Sequence, residues 1–188
     1  MNSKKLAAFG ICATLLTGVA VIHAQDVFES PEPSEQHIWL EKFVGEWESE
    51  SVMEVEPGQP PIKCKGHEKV RKLGEFWIVS DFEGDTPMGT KAQAILTLGY
   101  SPETGKFVGT WVDSMTPHMW VYEGSVDAGG RILTLSAEGP NFFIPGETAQ
   151  YRDVVEFKGP DHRVLTSSAK GPDGEWITYM TANYHRKK

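Results

Sequence analysis

The chain has 188 residues, of which 23% are charged and 11% are aromatic, and its formal net charge at pH 7 is −8. This length is enough for one domain with a sizeable hydrophobic core. The acidic balance argues against a surface for nucleic acid or anionic membranes, and the basic cluster Arg186-Lys187-Lys188 is too short to change that expectation.

Residues 1–24 have the pattern of a secretory signal peptide. Lys4 and Lys5 give a positively charged start, residues 6–22 form an apolar run, and a plausible cleavage site follows Ala24. A membrane anchor is the alternative, but the run is near the short end for a bilayer span and is diluted by Gly and Thr. The pattern predicts an exported protein, periplasmic or secreted, with no membrane attachment after cleavage.

The two cysteines predict a domain without disulfides. Cys12 would leave with the signal peptide, so Cys64 would have no partner in the mature chain, and we expect it to be a buried structural residue. Cys64 and His67 are three residues apart on a predicted strand, where their side chains point to opposite faces and cannot bind one ion. No metal site is predicted.

A disordered leader and a short helix are predicted before the first strand. Residues 25–33 are polar and interrupted by proline, and the single domain is expected to span residues 34–188. Ser34 is a good N-cap, apolar residues recur at roughly helical spacing up to Phe43, and Gly45 can close the helix.

From Trp47 onward, the apolar pattern has the two-residue period of β-strands. Turns rich in Gly, Pro and Asp separate the strands, and no helical pattern lies between them, which predicts an antiparallel meander of the kind that closes into a barrel. The longest irregular stretch, residues 139–149, carries Phe142, Phe143 and Ile144 and is expected to form a lid or rim. The predicted strands are 47–53, 62–73, 76–83, 90–100, 106–113, 118–126, 132–138, 150–158, 162–170 and 175–185.

Two levels of family resemblance support this prediction. Gly45-Glu46-Trp47 resembles the opening of the first strand in the lipocalin and fatty-acid-binding (calycin) superfamily, in which an Arg or Lys from the last strand packs over the Trp; Arg186 stands at that position. A wider pattern resembles the domain-of-unknown-function family 1579 over nearly all of the mature chain. It comprises Phe43-Val44-Gly45-Glu46-Trp47, Leu73-Gly74-Glu75-Phe76-Trp77, Gly99-Tyr100, residues 106–115, Glu123-Gly124, Leu133-Thr134-Leu135, Tyr151-Arg152 and Tyr184-His185-Arg186.

The resemblance implies a fold and no activity. The implied fold is an all-β, antiparallel, up-and-down lipocalin-like barrel of about ten strands with a short N-terminal helix. Gly45, Trp47 and Arg186 are the residues that would have structural roles in it.

A ligand site inside the barrel is the main functional hypothesis. A cavity lined by aromatic residues, with a few polar groups, would suit a small amphipathic molecule. Alternatively, the aromatic residues fill the core and the polar residues fix turns and strand pairing, since either strand face could point inward. The candidate binding residues are Trp111, Asp113, His118, Tyr122, Arg152 and Tyr179, with Met180 as a further lining residue.

Arg152 would favour a negatively charged ligand if its side chain pointed into the barrel. An arginine in the middle of a strand that points inward needs a carboxylate partner or an anionic ligand, such as a fatty acid. A salt bridge from Arg152 to Asp113 or Glu156 is the alternative. Asp113 and His118 flank a hairpin turn and could approach each other.

The sequence contains no strong catalytic motif. Asp113, Ser114 and His118 superficially resemble a hydrolase triad, but adjacent Asp and Ser residues at a strand end point apart. Small calycin-like haem proteins bind iron through a late histidine, and His185 is late in the chain, but no other haem signature accompanies it. The preferred hypothesis is therefore binding of a small amphipathic or acidic ligand without a cofactor. The alternatives are an enzyme or haem protein of the same fold, or an envelope interaction module with a filled barrel.

Overall fold

The computed structural model of the chain describes residues 31–54, 59–141 and 144–188. The predicted signal peptide, residues 25–30 of the predicted leader, and Phe142 and Phe143 of the predicted lid lie outside these ranges. Residues Glu32–Lys188 form one compact unit. Within the described part of the chain, no helix has the length and apolar character needed to cross a bilayer.

A short helical segment precedes ten β-strands, as predicted. Helix α1 is Glu35–Trp39 and continues directly into a 3-10 helix, Leu40–Phe43. The predicted bounds of the second, fifth and ninth strands agree with the structure, and the other bounds differ by one to a few residues. The strands are β1 Gly45–Met53, β2 Ile62–Leu73, β3 Trp77–Asp85, β4 Lys91–Ser101, β5 Lys106–Asp113, β6 Trp120–Val126, β7 Ile132–Pro140, β8 Thr148–Gly159, β9 His162–Lys170 and β10 Trp176–Arg186.

The ten strands form a closed antiparallel barrel in up-and-down order, which confirms the predicted fold class. Each strand pairs with the next in the chain, and β10 pairs with β1. Closure gives every strand a partner on both sides, so the sheet has no exposed edge. The register of β10 on β9 shifts between Thr178 and Met180, at a bulge, and such bulges redirect side chains locally.

The helical segment covers one end of the barrel, which we call the helix end; the opposite end is the far end. Leu40 and Phe43 are each only 1% exposed. The indole N–H of Trp39 donates to the carbonyl oxygen of Gly130 at 2.8 Å, and Nε2 of His37 lies 3.0 Å from the carbonyl oxygen of Tyr100. Because β1 begins at this end, odd-numbered strands run toward the far end and even-numbered strands return.

Trp47 and Arg186 join the first and last strands at the helix end. The two residues are paired in the register of β1 and β10, and the guanidinium carbon of Arg186 lies 4.1 Å from the centroid of the Trp47 ring. The indole N–H of Trp47 donates to the carbonyl oxygen of Phe43 at 2.7 Å. Gly45 has φ +134°, and a Cβ there would overlap Nη1 of Arg186. Glycine at this position therefore leaves room for the arginine.

Two inward-facing glycines allow adjacent strands to approach closely. A Cβ at Gly109 of β5 would overlap the carbonyl oxygen of Thr97, and one at Gly124 of β6 would overlap that of Thr134. Since these obstacles are backbone atoms, no rotation of a side chain would make room for the Cβ. Strand glycines of this kind mark the sharp coiling that a small barrel needs.

Candidate functional site

The half of the interior next to the helix end is packed with large apolar side chains. The inward faces of the strands follow from their alternating burial and from the pairing of Trp47 with Glu68. Four of the most deeply buried inward-facing residues, Trp47, Ile78, Leu98 and Leu133, are at most 2% exposed. This half of the barrel is therefore a solid core with the density expected of a protein interior.

The far half of the interior is different. Many of its inward positions hold small residues: Ser51, Gly66, Gly84, Ala92, Ala94, Ala137, Gly139, Ala149, Ser167 and Ala169. Larger inward-facing side chains beside them remain only half-buried, although they point toward the barrel axis. These are Met53, Phe82, Leu96, Trp111, Leu165, Tyr179 and Met180. The ring of Phe82 lies over Gly66 and Gly84, and that of Trp120 lies over Gly139, so part of the space beside the small residues is filled. The half-buried side chains show that solvent reaches other parts of the far half.

Asp153 is the most unusual polar residue of this interior. It faces inward on β8, opposite Ser167 of β9. The hydroxyl of Tyr122 donates to Oδ2 of Asp153 at 2.6 Å, and the Ser167 hydroxyl is also a hydrogen-bond partner of the carboxyl. Tyr179 is hydrogen-bonded to Ser167, and it is close enough to Asp153 for the charge of the carboxylate to affect its pKa. We call Asp153, Tyr122, Ser167 and Tyr179 the Asp153 cluster.

Burial changes the acidity of the Asp153 cluster. Burial raises the pKa of the Asp153 carboxyl, although the hydrogen bonds from Ser167 and Tyr122 oppose the shift. Burial, followed by the charge of Asp153, raises the pKa of Tyr122 well above its usual value and also raises that of Tyr179. No cationic side chain in the described residues forms an ion pair with Asp153. The carboxyl is therefore held in a weakly polar environment with hydroxyl partners alone.

Asp153 is more accessible than its neighbours on the same strand face. Tyr151 and Val155 lie on the same face of β8 and are buried, at 5% and 8% exposure, whereas Asp153 between them is half-buried. Solvent therefore reaches the carboxyl from the interior side of β8. Sequence reasoning did not select Asp153, although it is a carboxylate on the apolar face formed by Tyr151, Val155 and Phe157, and that was the available signal.

Four of the predicted site residues, Trp111, Asp113, Tyr122 and Tyr179, face the interior. One of them, Asp113, holds a turn in place. Tyr122 and Tyr179 belong to the Asp153 cluster. The indole N–H of Trp111 donates to Oδ2 of Asp113 at 3.0 Å. Oδ1 of Asp113 accepts the backbone N–H groups of Met115 and Thr116, each at 2.8 Å. Asp113 therefore fixes the β5–β6 turn and has little free capacity for a ligand.

His118 lies in that turn, before β6 begins. Its ring packs edge-on against Trp120, with the centroids 4.8 Å apart. Nε2 is buried and has no hydrogen-bond partner among the described residues. No hydrogen bond joins His118 to Asp113 in the described part of the chain, so the structure does not assemble the arrangement of a hydrolase triad there.

Arg152 and His185 lie on the outer face of the barrel. Arg152 alternates with the inward-facing Tyr151 and Asp153, and its guanidinium stacks on Trp176, 4.4 Å from the ring centroid. No ion pair joins Arg152 to Asp113 or Glu156 in the residues that the structure describes. His185 is exposed and stacks on His162, with the ring centroids 4.4 Å apart. A ligand inside the barrel would reach neither residue.

An ion pair lies deeper in the barrel, between the Asp153 cluster and the helix end. Arg163 of β9 is paired with Glu68 of β2, and both side chains are almost completely buried. The hydroxyl of Ser80 donates to Oε1 of Glu68 at 2.6 Å. The Arg163 guanidinium also lies 4.7 Å from the Trp47 ring centroid and 4.4 Å from that of Tyr184. Arg163 is thus held by an ion pair and by aromatic contacts, and its buried Nε has no hydrogen-bond partner among the described residues. Over the described residues, no group of His, Cys, Asp and Glu side chains has the geometry of a metal site.

Replacement of Asp153 by asparagine tests the environment of the carboxyl through the pH dependence of stability. Because the folded state raises the pKa of Asp153, this residue favours folding most at a pH below its unfolded pKa of about 3.9. That contribution is lost as the pH rises through the folded pKa. Asp153→Asn removes the titration, so at pH 7 we expect the variant to be more stable than the wild type by about 1–3 kcal/mol. The difference should shrink toward pH 4.

Urea unfolding of both proteins at pH 4 to 8 measures this difference. Asp81→Asn is the control, because Asp81 is an exposed carboxylate on the outer face of β3 and its replacement should change little at any pH. A stability difference between wild type and Asp153→Asn that is independent of pH would show that the carboxyl is not held in a weakly polar environment.

Comparison with known proteins is consistent with this architecture. No curated protein matches the sequence. The S-type phycobiliprotein lyase CPES from Guillardia theta has 18% identity and a TM-score of 0.53, covering 83% of this chain and 99% of that one. Rv2717c from M. tuberculosis has 11% identity and a TM-score of 0.56, covering 84% of this chain and 100% of that one. At such identities the likeness shows the lipocalin-like barrel fold alone.

The family is shown by a match over almost the entire described domain. The family model described as "Protein of unknown function (DUF1579)" matches residues 32–186, which include α1 and all ten strands. The chain therefore belongs to the DUF1579 family and has the calycin-like barrel that its sequence resemblance implied.

Proposed function

We propose that the protein binds a small amphipathic molecule in the far half of its barrel. The observation that carries the proposal is the contrast within the interior, which is closely packed at the helix end and partly accessible to solvent at the far end. A barrel of this size either packs its interior completely or holds one small ligand. The half-buried inward side chains of the far half support the second possibility.

The lining of this space has both apolar and polar parts. Phe82, Leu96, Trp111 and Met180 offer apolar and aromatic surface, and the Asp153 cluster offers hydroxyl groups and a carboxyl. Binding pockets typically combine apolar walls with a few polar groups that orient the ligand. This combination supports an amphipathic ligand that places its polar end near Asp153.

Exposed apolar side chains at the far end give further support. Met88, between β3 and β4, is 83% exposed, and Met115, between β5 and β6, is 56% exposed. Ile144, between β7 and β8, is 40% exposed. These residues surround the mouth of the barrel, where they would favour the approach of a molecule with an apolar part.

An acidic ligand finds less support than a neutral or basic one. Among the described residues that face the interior of the far half, none is Lys or Arg. Arg152 is on the outer face, and Arg163 lies deeper and is paired with Glu68. A carboxylate ligand would lose its hydration without gaining a cationic partner, which is unfavourable.

Filling the space tests the proposed site. Ser51 faces inward from β1 and is half-buried, whereas the next residue, Val52, faces outward and is 36% exposed. Phenylalanine at position 51 would occupy the far half, and phenylalanine at position 52 would add the same group outside the barrel. We expect Ser51→Phe to weaken binding of N-phenyl-1-naphthylamine, a neutral fluorescent probe, by about tenfold or more, with Val52→Phe close to wild type.

Fluorescence titration measures the affinity, and circular dichroism verifies that both variants keep the wild-type β-sheet signal. Equal affinity in Ser51→Phe and Val52→Phe would place the probe elsewhere on the protein and contradict the proposal. Native mass spectrometry of the wild-type protein from its producing cell would then identify any small molecule that co-purifies in a one-to-one ratio.

We also propose that the protein is exported. The charged start, apolar run and cleavage site of residues 1–24 support this proposal. Mass spectrometry of the protein recovered from the envelope or medium should find a mature N terminus at Gln25. Full-length protein confined to the cytosolic fraction would contradict it.

A further inference from the structure

Asp153 provides an anionic group that the fold itself does not neutralise. Its partners are the hydroxyl groups of Tyr122 and Ser167. Another carboxylate of the interior, the buried Glu68, has Arg163 as its ion-pair partner. Buried carboxylates are normally paired, because a lone charge inside a protein is costly. Asp153 therefore lacks the kind of partner that Glu68 has.

The aromatic surroundings of Asp153 suit a positive charge. Tyr122 donates its hydroxyl hydrogen to Asp153, so the hydroxyl end of its phenol contacts the carboxyl. Tyr179 lies close to the same carboxyl, and both side chains face the barrel interior. The faces of aromatic rings attract organic cations, and this attraction grows when the site excludes water. A carboxylate combined with two phenol rings is thus complementary to an ammonium group.

Folding has already removed part of the water around Asp153. When a cation binds at an exposed carboxylate, part of the gain is lost because both charges give up hydration. In this cluster the carboxyl gives up part of that hydration during folding, because the surrounding protein partly buries it. A bound ammonium group would meet a carboxylate that is already oriented by two hydrogen bonds, which favours affinity.

The segments that connect strands at the mouth of the barrel carry acidic residues, which attract a cationic ligand. In sequence, the five segments that connect strands at the far end contain no Lys or Arg. The charged residues among the described parts of these segments are all acidic, and Lys91 and Lys170 adjoin them at the ends of β4 and β9. The acidic residues favour the approach of cations over anions; they are Glu54, Glu147, Asp173 and Glu175.

We infer that the ligand of this barrel is an organic cation, an amphipathic amine whose ammonium group pairs with the Asp153 carboxylate and packs against Tyr122 and Tyr179. This inference rests on the proposed function, because it concerns the same interior space. It adds the chemical class of the ligand and the residue that selects it.

Three probes with the same alkyl chain separate the charge of the ligand from its apolar part. Hexylammonium, hexan-1-ol and hexanoate are titrated into the full chain at pH 7 in low salt, and isothermal titration calorimetry gives each Kd. We expect hexylammonium to bind about tenfold or more tightly than hexan-1-ol, because a charge-assisted hydrogen bond is stronger than a neutral one. Hexanoate should bind more weakly than either.

Two variants assign the selectivity to one residue. Asp153→Asn keeps the size of the side chain and should weaken hexylammonium binding about tenfold, while the Kd of hexan-1-ol stays within about twofold of the wild-type value. Asp81→Asn removes an exposed negative charge from the outer face of β3 and should leave all three affinities unchanged. Circular dichroism verifies the fold of both variants.

The outcomes distinguish the inference from the proposed function. If hexan-1-ol or hexanoate binds as tightly as hexylammonium in the wild-type protein, the inference is overturned and the interior site remains. If Asp153→Asn keeps the wild-type preference for hexylammonium, Asp153 is not the selecting residue and the inference is likewise overturned. If none of the three probes binds, the proposed function fails and the inference fails with it.

Discussion

Replacement of Trp47 by alanine is expected to lower the free energy of unfolding by about 3–5 kcal/mol, which is typical of the loss of a large buried aromatic side chain. Trp47 is fully buried, with 0% exposure. Its indole packs against the guanidinium groups of Arg186 and Arg163 and donates a hydrogen bond to Phe43. Alanine would leave a cavity where the first and last strands meet and would remove the surface that both arginines contact.

Trp77→Ala is the matched control for this prediction. Trp77 begins β3 at the same end of the barrel, but it is 40% exposed and faces outward. Its loss should cost clearly less, because its surroundings are already partly hydrated. Chemical denaturation of wild type and both variants measures the difference. Similar losses for the two tryptophans would show that Trp47 does not have the central packing role that its burial indicates.

Replacement of Arg163 by methionine is expected to cost about 3–5 kcal/mol, the usual penalty for removing one partner of a buried ion pair. Methionine fills much of the space of the arginine stem but leaves Glu68 without a cation. Glu68 would keep the hydrogen bond from Ser80, which cannot offset a buried charge. The effect should not add simply to that of Trp47→Ala, because Arg163 contacts Trp47 directly.

The double variant Glu68→Gln, Arg163→Met distinguishes a buried charge from lost packing. Glutamine removes the unpaired charge, so the double variant should recover most of the stability that Arg163→Met loses. Lys65→Met provides a surface comparison, since the pair of Lys65 with Glu50 is 3.3 Å apart and both side chains are exposed. Its effect should be at most about 1 kcal/mol. A double variant as unstable as Arg163→Met would attribute the loss to packing.

The strand pattern was predictable because it is local. Side-chain alternation and Gly- or Pro-rich turns depend on neighbouring residues, and they located all ten strands. The start of β6 was predicted at His118, but the strand begins at Trp120. The reason is that Asp113 accepts two backbone N–H groups of the preceding turn, which holds residues 114–119 out of the strand ladder.

The candidate site was predictable only in part. Trp111, Tyr122 and Tyr179 were selected as aromatic residues on neighbouring strands, and all three face the far half of the interior. Arg152 and Asp153 are consecutive in a regular part of β8, where adjacent residues face opposite sides. Selecting the arginine for an interior site therefore excluded the aspartate that occupies it.

The sequence by itself determined the period, number and order of the strands, and through Gly45, Trp47 and Arg186 it indicated how the first and last strands meet. Only the tertiary structure decided which strand face is the inside, because closure of the barrel fixes that choice for all ten strands together. That choice turns Asp153 toward the interior and Arg152 toward the outer face. It also concentrates the small residues of seven strands in one half of the interior, a grouping that no short segment of the sequence reveals.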